Sequence, residues 1–385
     1  MKRASIDALI LSNEANVVYC TGFLNGYWIA TMHDDAQVAL IPVDDIEEPV
    51  LFVPDHLEQT ARTSCISDIR VWSQFSGGGG KSAVATIAGA LKDKKLENGC
   101  IGLEIGPHDR PGMSLPFLDS LKSALPYATW TDSTQIMKEA RKIKSKLEIQ
   151  KFRKACSITC DAFNTGLDAI KEGGTEKEIG QIIAQEMARL SPDVCVNNPW
   201  LIFVHASGRG PCAFDGVPSN YQFKKGDTVY IDGGFRYQGY GADIIRCAVI
   251  GTPNKDQERF YYGSRDANMT AVKAVKPGLK GRELYQIWTE AAIDLGFEYS
   301  IRRQQETDWD FLGHGIGLTV HELPLLGSQC EYELEPGMVM AIEGNVFDEF
   351  PFIKTTYALK NEENVLVTED GYEWLTPLDN DLWIT

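Results

Sequence analysis

The stretch Gly313-His314-Gly315-Ile316-Gly317-Leu318-Thr319-Val320-His321-Glu322 places two of the six histidines in one glycine-spaced segment, at an odd offset. On a regular strand an odd offset sends side chains to opposite faces. Three glycines loosen that rule, because glycine lets a backbone bulge or approach another group closely. The segment reads either as backbone shaped around a site or as a glycine-rich turn carrying a solvated His321.

Its surroundings favour a site. Upstream, Thr228-Val229-Tyr230-Ile231-Asp232-Gly233-Gly234 is a β-rich run ending in a carboxylate, and Gly239-Tyr240-Gly241-Ala242-Asp243-Ile244-Ile245-Arg246 carries another. A fold-back at Tyr237 and Gln238 predicts that Asp232 and Asp243 sit directly opposite, about 5 Å apart at Cβ, where like charges repel. A cation is then expected between them. Downstream, Met338, Met340 and Ile342 alternate as on a strand before Glu343, and Glu362 precedes Val365-Leu366-Val367. Four carboxylates and one imidazole form an oxygen-rich set suited to a pair of divalent ions such as Mn, Fe, Co or Zn. Four negative charges would balance two such ions.

The order Asp232, Asp243, His314 within GHGIG, Glu343, and Glu362 before a VLV strand resembles the pita-bread metallopeptidases: methionine aminopeptidase, aminopeptidase P and prolidase, with creatinase as a metal-free relative. The resemblance implies an α+β chain with a C-terminal pita-bread (creatinase/aminopeptidase) fold. It implies that these five residues are metal ligands, with Asp243 and Glu362 bridging two ions, Mn first and Co, Fe or Zn as alternatives. Ions so bridged can activate a water near neutral pH. Glu343 is then the expected general base, besides being a ligand, and His321 the residue that hydrogen-bonds the substrate carbonyl or tetrahedral intermediate. The implied reaction is cleavage before proline by an Xaa-Pro dipeptidase or aminopeptidase, acting as a homodimer on small peptides. Ile6-Asp7-Ala8-Leu9-Ile10 and Tyr19-Cys20-Thr21-Gly22-Phe23 resemble the smaller leading domain of the prolidase and creatinase branch.

Three positions depart from the family pattern. Asp215 stands where aminopeptidase P and prolidase carry a substrate-binding histidine, Lys360 stands where an arginine is usual, and Glu343 is followed by Gly344-Asn345 in place of Pro-Gly. Asp215, His321 and Lys360 are accordingly the expected substrate contacts. The changes keep open a non-peptidase relative, a creatinase-like C–N hydrolase or a lyase acting on a small charged metabolite. A scaffold that has lost catalysis is a further alternative, although such relatives typically lose metal ligands.

Composition narrows the partners. Asp plus Glu number 54 against 37 Lys plus Arg, a formal charge of -17 that disfavours nucleic acid and anionic membrane surfaces. Nine scattered cysteines lack metal-finger spacing, and Cys156 and Cys160 read as buried thiols. The apolar run behind Met1-Lys2-Arg3 is broken by Asp7, too short for a signal peptide, and no stretch reaches the roughly 20 apolar residues of a membrane span. A reducing cytoplasm is the expected compartment.

At 385 residues two domains are expected, here an α/β layered domain over 1–138 and the pita-bread domain over 139–385. Strands are predicted over 36–43, 50–53, 69–72 and 100–103, with helices over 82–95 and 115–125. Beyond the boundary, Phe152, Cys156, Thr159, Phe163, Leu167 and Ile170 trace one stripe of a long helix, and Thr175 with Glu178 forms a capping box for a second. Two further helices are predicted over 256–275 and 282–295. Phe75-Ser76-Gly77-Gly78-Gly79-Gly80-Lys81-Ser82 suggests a phosphate loop but lacks its first glycine, so a loop entering a helix is expected. His33-Asp34-Asp35, after Tyr27-Trp28, reads as a solvated turn by composition, while the resemblance to prolidase-like dimers, whose leading domain reaches the partner subunit's active site, implies Trp28 or His33 as an alternative substrate contact.

Overall fold

A computed structural model describes residues 1–24, 37–73, 82–107, 112–192, 201–210, 216–307, 309–347 and 359–385. The chain divides into two compact units, Met1–Arg141 and Lys142–Thr385. The expected boundary after residue 138 falls inside the helix Thr134–Lys142.

The first unit is built on a mixed six-stranded sheet of β1 (Ala8–Leu11), β2 (Val38–Pro42), β3 (Val50–Pro54), β4 (Asp68–Trp72), β5 (Cys100–Leu103) and β6 (Thr129–Asp132), in the order β4-β3-β2-β1-β5-β6. Every residue of β1, β2 and β3 is buried, so neither face alternates with polar residues. Ile10, Leu40 and Phe52 pack on Ile87, Leu91 and Leu121 of the helices Ala83–Asp93 and Leu115–Ala124. Leu9, Leu11, Ile41 and Val53 pack on the opposite face with Val17 of Glu14–Thr21 and with Met137. Helices on both faces make this the expected α/β layered unit. Ser82 caps its helix by accepting from Ala85 N, while the rest of the glycine run lies outside the described residues.

The second unit holds two larger sheets. One contains β7 (Leu201–Ala206), β8 (Thr228–Gly234), β11 (Ile244–Val249) and β17 (Trp383–Ile384), in the order β17-β11-β8-β7, with β9 (Arg236–Tyr237) and β10 (Tyr240–Gly241) forming a short ribbon at the hairpin between β8 and β11. The other contains β12 (Gly313–Gly315), β13 (Glu322–Leu326), β14 (Val339–Ile342), β15 (Glu363–Val367) and β16 (Tyr372–Trp374), in the order β13-β12-β14-β15-β16. Among the described residues, one isolated bridge, Ile245 to Glu362, joins them.

Helix pairs cover this β-structure. The stripe from Phe152 to Leu167 is fully buried on the helix Lys146–Asp168, and its Phe163 and Leu167, with Ile179 and Ile183 of Glu176–Leu190, pack against Val204, Val229, Ile231 and Ile244. Both helices begin in a capping box, Ser145 with Glu148 and Thr175 with Glu178. The helices Lys255–Ala274 and Gly281–Asp294 pack through Tyr261, Leu284 and Trp288 against Met338, Met340, Ile342 and Val365. No helix among the described residues is long and apolar enough to cross a membrane. Cys156 is buried and Cys160 partly so, both as free thiols, as are the other described cysteines.

Candidate metal and catalytic site

The hairpin that carries the two aspartates turns one residue later than expected. Gln238 and Gly239 take φ 47 and 91, the paired positive values of a type I′ turn, for which glycine is well suited. Tyr237 therefore faces Tyr240, and Asp232 faces Ile245 rather than Asp243. Continued by one pair, this register sets Asp243 opposite Gly234. Moving the turn by one residue shifts pairing by two, which keeps both carboxylates on one face but makes them diagonal neighbours, roughly 7–8 Å apart. The close approach there needs Gly234, since a Cβ would lie 1.9 Å from Ala242 O.

His314 reaches the same region through the glycine-spaced strand. The β12 register places His314 opposite Ala341 of β14 and Leu325 of β13, with an irregularity between His314 and Gly315. Gly313 and Gly315 are required sterically: a Cβ on either would meet Ala341 O or Leu323 O at 2.0 or 2.1 Å. Met340 and Ile342 enter the core, so Ala341 and Glu343 project to the face that carries His314. Ile342 faces Glu363, and one step further Glu343 comes opposite Glu362.

The resulting cluster is deeply enclosed. His314 and Glu362 are 0% and 1% exposed, Asp243 is 6% exposed, and Asp232 and Glu343 are partly buried. One ligand atom each from Asp243, His314 and Glu362 lie within 4.8 Å of one another, and the same holds for His314, His321 and Glu343. His314 Nδ1 contacts Gly315 O at 3.0 Å; a carbonyl only accepts, so Nδ1 carries a proton and the neutral ring presents its lone pair on Nε2. Nε2 faces Glu343 Oε1 at 3.3 Å and Glu362 Oε1 at 3.9 Å. A lone pair aimed at carboxylate oxygens calls for a proton or a metal ion between them. Neither His314 Nε2 nor Glu362 Oε1 has a well-formed hydrogen bond among the described residues, and the oxygen-rich donor set with one nitrogen suits a hard or borderline divalent cation.

Electrostatics lead the same way. Burial, then repulsion from Asp243, pushes the Asp232 carboxyl well above its ordinary range. Burial, then Asp243 and Glu343, does the same to Glu362. Asp243 is raised to about 7, chiefly by burial and with Glu343 adding, against the opposing pull of His314 and Lys360. Burial would also raise Glu343, but Lys360 and His314 overcome it and lower this carboxyl to about 2. For His314, burial works downward and the nearby Glu343 carboxylate more than reverses it. Without metal, the cluster holds its carboxylates together with protons and the Lys360 ammonium.

Lys360 is 7% exposed, with Nζ 2.7 Å from Glu343 Oε2. It therefore stands among the carboxylates. His321 is exposed, its ring edge-on to His314 with centroids 4.2 Å apart. The following Glu322 is partly buried, with Oε1 accepting from Thr319 N at 3.1 Å and Oε2 3.3 Å from Lys144 Nζ. Asp215, Trp28 and His33 lie outside the described residues.

Four supporting residues were not anticipated. Tyr230 donates its hydroxyl to Asp232 Oδ2 at 2.7 Å. Arg246 donates to Ile245 O at 2.8 Å and Glu362 O at 3.0 Å and is paired with Glu363, while Asn364 hydrogen-bonds the Asp243 backbone. The available signal was polarity out of place, Arg246 within an apolar strand and Asn361-Glu362-Glu363-Asn364 leading into Val365-Leu366-Val367.

Comparison with known proteins agrees with this architecture. The Xaa-Pro dipeptidase of Pyrococcus furiosus is 28% identical over 385 residues, spanning 99% of this chain and 97% of its own. The crystal structure of the prolidase from Pyrococcus horikoshii superposes with a TM-score of 0.77 at 26% identity, covering 99% and 97% of the two chains. An X-Pro aminopeptidase from Thermotoga maritima shares the fold, with TM-score 0.78 at 23% identity over 100% and 99% of the chains. The expected pita-bread unit and its leading domain are thus both present. Residues 1–143 match the creatinase/prolidase N-terminal domain, and because residues 150–369 match metallopeptidase family M24, the chain belongs to that family of divalent-metal enzymes.

Proposed function

We propose that this metallopeptidase hydrolyses the bond before proline in Xaa-Pro dipeptides or short peptides, and that Asp232, Asp243, His314, Glu343 and Glu362 hold two divalent ions, manganese in the first instance. The observation that carries the metal assignment is the buried convergence of Asp243, His314 and Glu362, with the Nε2 lone pair of His314 turned toward carboxylate oxygens. The full-length likeness to an Xaa-Pro dipeptidase supports the substrate class. When bound, the ions supply Lewis acidity and a water of lowered pKa.

The chain's own residues then divide the remaining work. Asp243 and Glu362 would hold both ions in this reading, as the family resemblance implies. Tyr230 orients Asp232 by its hydroxyl, and Arg246 fixes the backbone at Glu362. His321, exposed beside His314, donates a hydrogen bond to the substrate carbonyl as charge develops there. Glu343 accepts the proton of the attacking water, and because Lys360 now holds it ionised, acceptance follows a loosening of that pair. Lys360 and Asp215 complete the proposed substrate contacts, with a homodimer in the cytoplasm as the working form.

The decisive experiment is metal analysis of protein purified without chelator, followed by a Mn-supplemented assay on Xaa-Pro dipeptides and Xaa-Pro-Yaa peptides. Two ions per chain with turnover are expected. Two ions without turnover on any Xaa-Pro substrate would overturn the substrate class, and absence of bound metal would overturn the ligand set.

A further inference from the structure

We infer that Asn364 is a positioning residue for metal uptake, its side-chain amide setting the backbone of Asp243 in place of a missing strand partner. This inference rests on the proposed ligand role of Asp243.

Asp243 sits where the hairpin ladder is interrupted, between β10 ending at Gly241 and β11 beginning at Ile244. A buried backbone N–H and C=O at such a gap need partners. Asn364 supplies both: Asp243 N donates to Asn364 Oδ1 at 2.9 Å, and Asn364 Nδ2 donates to Asp243 O at 2.7 Å. The carboxamide thus imitates the two-bond exchange of an antiparallel pair. It also fixes its own orientation, since only nitrogen can donate to the carbonyl.

The clasp is rigid on its far side. Asn364 is 0% exposed, its own N–H donates to Thr376 Oγ1 at 2.9 Å, and its Oδ1 also receives the Cys156 thiol at 3.7 Å. Asn364 lies two residues after Glu362, whose N–H reaches Ile245 O at 3.3 Å. Ile245 in turn lies two residues after Asp243. The two proposed bridging carboxylates are therefore tied through one closed frame: the Ile245–Glu362 bridge on one side and the Asn364–Asp243 clasp on the other. No other side chain among the described residues spans both segments by hydrogen bonds to the Asp243 backbone.

Two near-isosteric substitutions test this frame. Asn364→Asp sets a carboxylate oxygen against Asp243 O, and Asn364→Leu leaves the Asp243 N–H and C=O without partners. Chelator-treated protein is titrated with Co(II) alone, read by calorimetry and by the visible absorption of the bound ion, with thermal unfolding measured in parallel. Both variants are expected to bind cobalt roughly 10- to 100-fold more weakly than wild type, the usual range when a residue orienting a ligand is lost, with an altered visible spectrum. Lower thermal stability with unchanged affinity and spectrum would make Asn364 purely structural and overturn the inference. A wild-type chain that binds no cobalt overturns both this inference and the ligand set on which it rests. If neither variant folds, amide exchange in metal-free wild type decides: an Asp243 N–H protected like that of Ile245 supports the clasp, and rapid exchange overturns it.

Discussion

Lys360 Nζ lies 2.7 Å from Glu343 Oε2, inside the group of carboxylates assigned to metal binding. A resident cation at this point opposes the entry of others. Replacing Lys360 with methionine, which keeps much of its apolar stem, removes that repulsion. Manganese affinity of the Lys360→Met variant is expected to rise by roughly tenfold or more, because a charge a few ångströms from a divalent ion is worth several kcal/mol even at an effective dielectric near 20. Turnover is expected to fall, since the pocket loses a charged contact. Calorimetric titration of the two proteins checks the sign, which is opposite to that expected for removing any ligand.

The metal-free protein should lose stability as pH rises. Asp243 has its carboxyl raised from 3.8 to about 7, and Asp232 and Glu362 are raised as well. In that interval the folded state binds protons that the unfolded chain has released, so the stabilisation is complete below the ordinary carboxylate range and disappears as pH climbs through the folded values. Glu343, lowered to about 2, acts the other way, but only at more acid pH. Urea midpoints of chelated protein should therefore fall between pH 4 and pH 7. With saturating manganese the trend should reverse, because ligation needs the deprotonated carboxylates. A chelated midpoint that rises over this interval would contradict the assignment of these protons.

The hairpin between Asp232 and Asp243 marks where reading the sequence reached its limit. Strand identity and the shared face of the two carboxylates were legible from apolar alternation and from the positions of the acids. The register was not, because Arg236-Tyr237-Gln238-Gly239 offers more than one turn, and the outcome depends on which residues take positive φ. The expected centre was Tyr237-Gln238 and the observed one is Gln238-Gly239, where glycine takes the second positive φ without steric cost. The Asn364 clasp was hidden for a related reason. An asparagine in a strand has no periodicity to reveal its role, and its partner is the backbone of a residue 121 positions away. The pairing of Lys360, expected as a substrate contact, with Glu343 was likewise not legible, since a sequence position does not disclose where a long flexible stem will point.

Arg246 and Glu363 form an ion pair of 3.0 Å with side chains 1% and 0% exposed. Glu363 also accepts from Trp374 Nε1 at 2.8 Å and Thr376 Oγ1 at 2.9 Å, so neither partner can be lost without orphaning others. Arg246→Met is expected to destabilise the chain by about 3–5 kcal/mol, the range for leaving one buried charge uncompensated. The double variant Arg246→Met, Glu363→Gln should cost less than the sum of the single changes. Urea unfolding of the three variants measures this coupling; strict additivity would mean that the pair acts as two separate hydrogen-bonding groups.

Gly313 permits the contact on which the position of His314 depends. A Cβ there would stand 2.0 Å from Ala341 O, a backbone atom with no rotamer in which to retreat. Gly313→Ala can be accommodated only if β12 and β14 separate, which moves His314 away from Glu343 and Glu362. The penalty should exceed the 1–3 kcal/mol typical of overpacking among movable side chains. Gly371→Ala provides the control, because nothing lies within 4 Å of its added methyl. Thermal unfolding and Co(II) titration of both variants are the measurements. Gly313→Ala should lower stability and metal affinity together, and Gly371→Ala should alter neither; a Gly313→Ala protein with wild-type affinity would show that the imidazole does not depend on this close strand approach.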